Sequence, residues 1–539
     1  MTGRRVGRIA QCAVLLPLLF IARGLAAQAN PHPAPTLIVM ITVDQFRGDY
    51  LDRFAPLPGG LGRLARGGAF FTNAWQDHAT TETSPGHAST LSGRFPAHTG
   101  IANNSLGVAD PQAPLVGAPG SGASPFRFRG ETLIDWLRSS DPRSRALSVS
   151  TKDRGAILPI GRAHQEVYWY AANGTYTTST YYRDTLPSWV ASFNARRLPA
   201  SFAGRSWTLL AASSKYPEPD SVSVENGGRD VTFPHVAPTD TAAAVRTLPN
   251  FPWADEVTLQ FALQGVTALH LGDGPATDLL AVSLSATDYI GHRYGPDSRE
   301  VHDQILRLDR VLGIFLDSLY RLRDSSRVVI ALTADHGVAP FPAVHFAHDA
   351  PGTGFVDLRP VLEPMQRALR ERQVDPRAFR LEDGMLLVDR DQVAASGLSA
   401  DSLVSTFVAA ARAVDGVERV DFVRDLAHAD TVRDTVARRW YHALPPDLDA
   451  AAVVTLQPYH LWAGTRLAMH GSPHDYDAHV PILLVGPPFR PGRYTGEARV
   501  VDIAPTLAWV AHVRPTEPVD GHVLRAALRD SAQQPSAGH

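Results

Sequence analysis

At 539 residues the chain is far larger than one small core, and length alone predicts about three or four domains. Its 44% hydrophobic and 19% charged residues exclude a disordered chain. A net charge of −3 and a pI near 6.7 give no global attraction to nucleic acid or to an anionic membrane.

The chain opens on a processing segment. Arg4, Arg5 and Arg8 form a positive n-region, residues 9–22 are largely apolar, and Ala27-Gln28-Ala29 is an A-x-A cleavage pattern, with Leu25-Ala26-Ala27 as an alternative. Residues 1–29 are therefore expected to be a signal peptide, and the protein periplasmic or secreted. The apolar run is too short and interrupted for a membrane span, so no stable insertion is expected after its removal. The only cysteine, Cys12, lies inside this segment. A mature chain without disulfides must be held by its core alone, which this length allows.

Residues 36–43 (TLIVMITV) are a continuous β-branched run of the kind buried on both faces of a sheet, and Asp44 follows directly. Thr83-Ser84-Pro85-Gly86-His87 lies in a Ser/Thr/Gly-rich loop ahead of a short helix predicted over 87–91. A helix N-terminus suits both an alkoxide and a phosphate. A threonine hydroxyl needs a base or a metal to become a nucleophile, and a simple N-cap role for Thr81, Thr83 or Ser84 fits equally well. A strand over 146–150 leads into Lys152-Asp153-Arg154. In an extended chain both cations fall on one side and can clamp anionic oxygens; a solvated charged turn is the ordinary alternative. Residues 160–275 read as an insertion, strongly aromatic over 168–189. Its Tyr168, Trp169, Tyr170, Tyr181 and Tyr182 either stack a nucleobase or simply pack.

A further strand over 278–285 precedes Asp288-Tyr-Ile-Gly-His292, whose carboxylate and imidazole share one face of a helix. Ile305, Leu308, Leu312, Phe315, Leu319 and Leu322 predict an amphipathic helix over 301–322. The strand over 326–333 runs into Asp335-His336-Gly337. Residues 350–455 read as a second insertion, with a strand over 385–388 and a helix over 402–414. His470-Gly471 then precedes a strand over 480–485. Strands alternating with amphipathic helices predict an α/β fold, a mainly parallel sheet sandwiched by helices, with inserted subdomains. Asp44, Lys152, Asp288 and Asp335 all follow strand ends, the edge at which open α/β sheets bind ligands. Three aspartates and three histidines suit two zinc-like ions.

Taken in order, these motifs resemble the alkaline phosphatase superfamily, and in particular the PafA-type alkaline phosphatases, relatives of the type I phosphodiesterase/nucleotide pyrophosphatases. The resemblance runs over residues 36–528 and includes Asp502-Ile-Ala-Pro-Thr-Leu507 and Asp520-Gly521. It implies one catalytic domain over 30–539 carrying both insertions, and two Zn²⁺ per chain. Asp288, His292 and His470 would hold one ion; Asp44, Asp335, His336 and the Thr83 hydroxyl would hold the other. It also implies that Thr83 forms a phosphothreonine and that Asn104, Lys152 and Arg154 bind phosphoryl oxygens. Sulfatases of the superfamily carry a C/S-x-P-x-R motif, whereas the stretch from Thr83 to His87 has no arginine. Diesterase relatives generally lack the Lys–Arg pair. The expectation is an exported, monomeric alkaline phosphatase acting on small-molecule phosphate monoesters, without a nucleic-acid partner. The alternative is a phosphodiesterase or nucleotide pyrophosphatase with the same metals.

Overall fold

A computed structural model describes residues 2–3, 32–346 and 354–529. The signal segment, apart from residues 2–3, lies outside the described residues. Among the described residues no helix is long and apolar enough to cross a membrane.

The centre is a ten-stranded sheet. Its first strand, β1 (Leu37–Val43), is the β-branched run, and every residue of it is buried. Strand β2 (Ala69–Trp75) is followed by helix α1 (Thr83–Ser92). Strand β3 (Ala146–Ser150) leads into the short helix α2 (Asp153–Ile157), then β4 (Glu166–Tyr170) and β5 (Tyr176–Thr177). Helix α3 (Trp253–Ala268) precedes β6 (Asp278–Leu284), α4 (Ala286–Tyr294), α5 (Arg299–Leu322) and β7 (Val328–Thr333).

The next four strands form a separate antiparallel sheet: β8 (Phe379–Glu382), β9 (Met385–Val388), β10 (Val417–Phe422) and β11 (Ala450–Leu456), with helix α6 (Ala400–Ala411) against it. The chain returns to the main sheet with β12 (His479–Val485), β13 (Gly492–Tyr494) and β14 (Ala498–Arg499).

The main sheet runs β13-β2-β12-β7-β1-β6-β3-β4-β5, with β14 also on β2. Strands β7, β1, β6, β3 and β4 run parallel to one another, β12 is antiparallel to both of its partners, and β5 turns back on β4. All residues of β1, β6 and β7 are buried, so both faces are covered, as continuous apolar strands require. A leucine-to-alanine change in such strands costs about 2–5 kcal/mol.

The register sets the site. Val43 stands opposite Leu284 and Thr42 opposite Thr333, so β1, β6 and β7 end level. The Asp44 amide continues the ladder by donating to the Leu284 carbonyl at 2.9 Å.

Several elements differ from their sequence-based bounds: strand β7 begins at Val328 rather than 326 and helix α5 at Arg299 rather than 301. Helix α1 begins at Thr83 rather than 87, with Glu82 as an N-cap that makes no side-chain capping bond. Hence none of Thr81, Thr83 or Ser84 serves as the cap. Helix α5 has the expected apolar row, but Leu322 ends it 39% exposed, because the row that meets the core stops at Leu319. Helix α6 starts two residues early, because the Ser399 hydroxyl accepts from the Ser402 amide and fixes the N-terminus there.

Two observations concern the regions read as insertions. Strands β4 and β5, inside 160–275, belong to the main sheet. The tight β8–β9 turn places Asp383 and Gly384 at positive φ, and Asp383 Oδ2 accepts from Asn103 Nδ2 at 2.8 Å. That contact sets the tip of the smaller sheet beside the start of α1.

Candidate active site

The level strand ends bring the three aspartates together. Asp44 follows β1, Asp335 follows β7 by one residue, and Asp288 stands on the first turn of α4, just past β6. All three are buried. Lys152, which caps α2 beyond β3, reaches between them, with Nζ 2.6 Å from Asp44 Oδ2 and 2.6 Å from Asp288 Oδ2. The same ammonium donates to Thr83 Oγ1 at 3.3 Å. Thr83 is the first residue of α1, where free amides and the helix dipole favour negative charge.

The three histidines share one arrangement. Each offers Nδ1 to a backbone carbonyl: His292 to Ala468 at 2.6 Å, His470 to Thr81 at 2.8 Å, and His336 to Gly337 at 2.9 Å. A proton held on Nδ1 leaves the Nε2 lone pair free for a metal, and such outer bonds orient metal-ligating histidines. His336 Nε2 is buried without a hydrogen-bond partner and lies 3.4 Å from Asp44 Oδ1, which also lacks one. Two sets of donor atoms lie within 4.8 Å of one another: Asp44, Asp335 and His336, and Asp288, His336 and His470. His336 is common to both sets and its single Nε2 can serve only one. His292 Nε2, 3.2 Å from Asp288 Oδ1, is placed to be the third donor beside Asp288 and His470. These mixed carboxylate–imidazole sets with orphaned inward atoms fit divalent ions.

The electrostatics differ from group to group. Burial, with Asp288 and Asp335 nearby, pushes the Asp44 carboxyl well above the usual range, and Lys152 offsets this only in part. Burial also works against ionised Asp288, yet Lys152, His292 and His470 hold it well below. For Asp335 burial is outweighed by His336, His87 and Lys152, and its carboxyl is held low. Burial opposes the Lys152 charge, but Asp288 and Asp44 keep its pKa above the ordinary value. Burial lowers His336, and burial with His336 and His292 lowers His470 well below its ordinary value. Both rings are thus neutral near pH 7, the form that binds metal.

A cavity of about 480 Å³ opens over this floor, lined by Thr83, Lys152, Arg154, Asp288, His292 and His470 among others. Arg154 Nε is buried without a partner, and the side chain makes only a 3.6 Å ion pair with Asp153. Asn104 is not among the residues that line the cavity: its Oδ1 accepts from the Ser84 backbone amide at 2.9 Å, and its backbone N–H donates to Glu82 Oε2 at 2.7 Å. None of the aromatic residues Tyr168, Trp169, Tyr170, Tyr181 and Tyr182 lines the cavity. Tyr168 and Trp169 are core residues, and Tyr181 stacks on His164.

Two further residues stand against the three aspartates: Gln45, which was not singled out from the sequence, and His87, expected from it only to support the site or lie at the surface. Gln45, 1% exposed and at φ 63°, bridges two aspartates: its amide donates to Asp335 Oδ1 at 3.1 Å and its Nε2 to Asp288 Oδ1 at 2.9 Å. Buried His87 lies with Nδ1 2.9 Å from the Thr83 carbonyl and 3.1 Å from Asp335 Oδ2, and Nε2 2.9 Å from Ser283 Oγ. Its spacing of four from Thr83 on a helix was the available signal.

Residues 38–355 match the family described as type I phosphodiesterase/nucleotide pyrophosphatase. The alkaline phosphatase PhoV of Synechococcus elongatus is 31% identical over 524 residues, 92% of this chain and 93% of that protein. The alkaline phosphatase PafA of Elizabethkingia meningoseptica is 30% identical, over 92% of this chain and 95% of that protein. A crystal structure of wild-type PafA superposes with a TM-score of 0.85 at 27% identity, covering 93% of this chain and all of that one. Human ectonucleotide pyrophosphatase/phosphodiesterase family member 7 matches over only 61 residues, 11% of this chain and 13% of that protein, at 34% identity.

Proposed function

The chain belongs to the type I phosphodiesterase/nucleotide pyrophosphatase family and is a phosphatase like its alkaline phosphatase relatives; from that membership we propose a phosphate monoesterase with Thr83 as nucleophile and two Zn²⁺ ions. Asp288, His292 and His470 would hold one ion, and Asp44, Asp335, His336 and Thr83 Oγ1 the other. Bound there, the ions supply Lewis acidity that lowers the hydroxyl pKa of Thr83 and stabilises a leaving oxygen. Thr83 Oγ1, its proton given up to solvent, would attack phosphorus as the ester P–O bond breaks and the alcohol leaves; water would then cleave the phosphothreonine to inorganic phosphate and the free Thr83 hydroxyl. The helix start presents its dipole to the charge that develops. Lys152 and Arg154 hold non-bridging oxygens, and Asn104 makes a third contact.

The observation that carries the monoester reading is the placement of Lys152 and Arg154 in one cavity with Thr83, the ammonium 3.3 Å from its hydroxyl. A monoester presents a dianionic phosphoryl group. Two cations favour it over a diester, whose second substituent occupies the place of one anionic oxygen. The burial of Tyr168 and Trp169 removes the main argument for a nucleobase platform and for the diesterase alternative. Replacing Lys152 and Arg154 together by alanine should lower kcat/KM for p-nitrophenyl phosphate by roughly a hundredfold or more. The loss on bis-p-nitrophenyl phosphate should be far smaller. Equal losses on the two esters would refute the discrimination. We place the enzyme outside the cytoplasm, on the signal-like start of the sequence, with small-molecule monoesters as substrates.

A further inference from the structure

The cavity over Thr83 holds more positive charge than one phosphoryl group needs. Besides Lys152 and Arg154 it is lined by Arg293 and Arg466, against a single lining carboxylate, Asp288, which is already paired with Lys152. The chain as a whole is slightly acidic, so this surplus is local. Among the described residues neither Arg293 nor Arg466 forms an ion pair. Arg293 donates to Asn226 Oδ1 at 3.4 Å, and Arg466 is exposed.

Their position is built. Arg293 follows His292 on α4, and the segment carrying Arg466 is clasped to the same turn by two bonds. The Ala468 amide donates to the His292 carbonyl at 2.9 Å, and His292 Nδ1 lies 2.6 Å from the Ala468 carbonyl. Leu467, 40% exposed, lines the same cavity. Arg293 and Arg466 thus belong to the wall that carries His292, and the ion that Asp288, His292 and His470 would hold is the one that would take the leaving oxygen.

We propose that Arg293 and Arg466 form a leaving-group subsite that selects phosphate monoesters bearing a second anionic group, a carboxylate or another phosphate. This rests on the monoesterase reading of the same cavity. The guanidinium fork matches both anions, and in a partly open site the interaction is weakened by salt.

The test compares kcat/KM for phenyl phosphate and for 4-carboxyphenyl phosphate in the zinc-loaded protein, in wild type and in Arg466→Gln and Arg293→Gln/Arg466→Gln. Taking the ratio of the two esters in each protein cancels intrinsic leaving-group differences. The double change should lower the carboxylated-to-neutral ratio by roughly tenfold or more, about one charge-assisted hydrogen bond. Added salt should erode the wild-type ratio but not the variant's. Arg466→Gln alone, at an exposed position, should move the ratio in the same direction and guards against misfolding of the double variant. If both esters turn over and neither substitution changes the ratio, the subsite is refuted. If wild type turns over neither ester, the monoesterase reading itself fails.

Discussion

Gln45→Met is the most discriminating single change in the proposed two-ion site, because it removes one donor and leaves the shape nearly unaltered. The Gln45 side chain is buried, and its Nε2 donates at 2.9 Å to Asp288 Oδ1, while its backbone amide serves Asp335 independently. A hydrogen bond to a charged group contributes about 1.5–3 kcal/mol. Methionine loses that term on the Asp288 side alone, which corresponds to roughly a 10- to 150-fold weaker ion at one of two sites. Gln45 Oε1 is buried without a partner, and such an acceptor costs about 1–3 kcal/mol. Its removal offsets the lost bond, so the metal-free fold should change in stability by less than about 1 kcal/mol. The assay is competition against a chelator of known affinity, with bound zinc counted by native mass spectrometry and unfolding followed separately in the metal-free protein. One ion should be lost at lower chelator concentration and the other at the wild-type value. Two unchanged ions, or two equally weakened ones, would refute the assignment of Gln45 to the Asp288 set.

Gly291→Ala should reproduce the Gln45→Met pattern, because a Cβ there would lie 1.9 Å from Gln45 Oε1 and force the amide off Asp288; an unaltered chelator profile would contradict it. A pH effect is expected from Glu225, whose turn also supplies Asn226 and Gly227 to the cavity wall. Burial, with Glu300 and Asp220 nearby, pushes its carboxyl from 4.5 up to about 9. A folded pKa above the unfolded one leaves stability intact below about pH 4.5 and erodes it as pH rises toward 9. Glu225→Gln should therefore gain thermal stability over wild type progressively across that window and show no gain at its lower end. A gain independent of pH would count against this account.

Much of the fold was legible because its centre is made of strands that obey one simple rule. Residues 37–41 (LIVMI) and 279–282 (LLAV) are apolar without alternation, as a strand covered on both faces requires. The first carboxylate after each strand, Asp44 and Asp288, then marks the strand end and the site together. The N-terminus of α1 was not legible, because its cap is Glu82 without a side-chain bond and Pro85 reads as a turn. Gln45 escaped for a different reason. Its two bonds depend on a left-handed backbone conformation that no sequence pattern announces for a glutamine. Arg293 and Arg466 belong to no motif that the sequence offered. The two bonds between His292 and Ala468, one backbone to backbone and one from the imidazole, hold their segments together at one wall.

The three carboxylates at the strand ends are unequal, and the inequality follows from who donates to each. Asp335 Oδ1 receives two amides, from Gln45 and from His336 at 3.0 Å, and Oδ2 faces His87. Asp288 receives Gln45 and Lys152 and lies beside His292. Asp44 has only the Lys152 ammonium, and its Oδ1 has no hydrogen bond. The directions follow this order: Asp335 and Asp288 are held as carboxylates, while Asp44 is pushed toward its neutral form. One ammonium shared between two aspartates at 2.6 Å each cannot neutralise three buried carboxylates. Replacing any of them by an apolar residue would relieve that cost. A site that nonetheless gathers them, and turns the Nε2 atoms of three imidazoles toward them, is arranged around divalent positive charge.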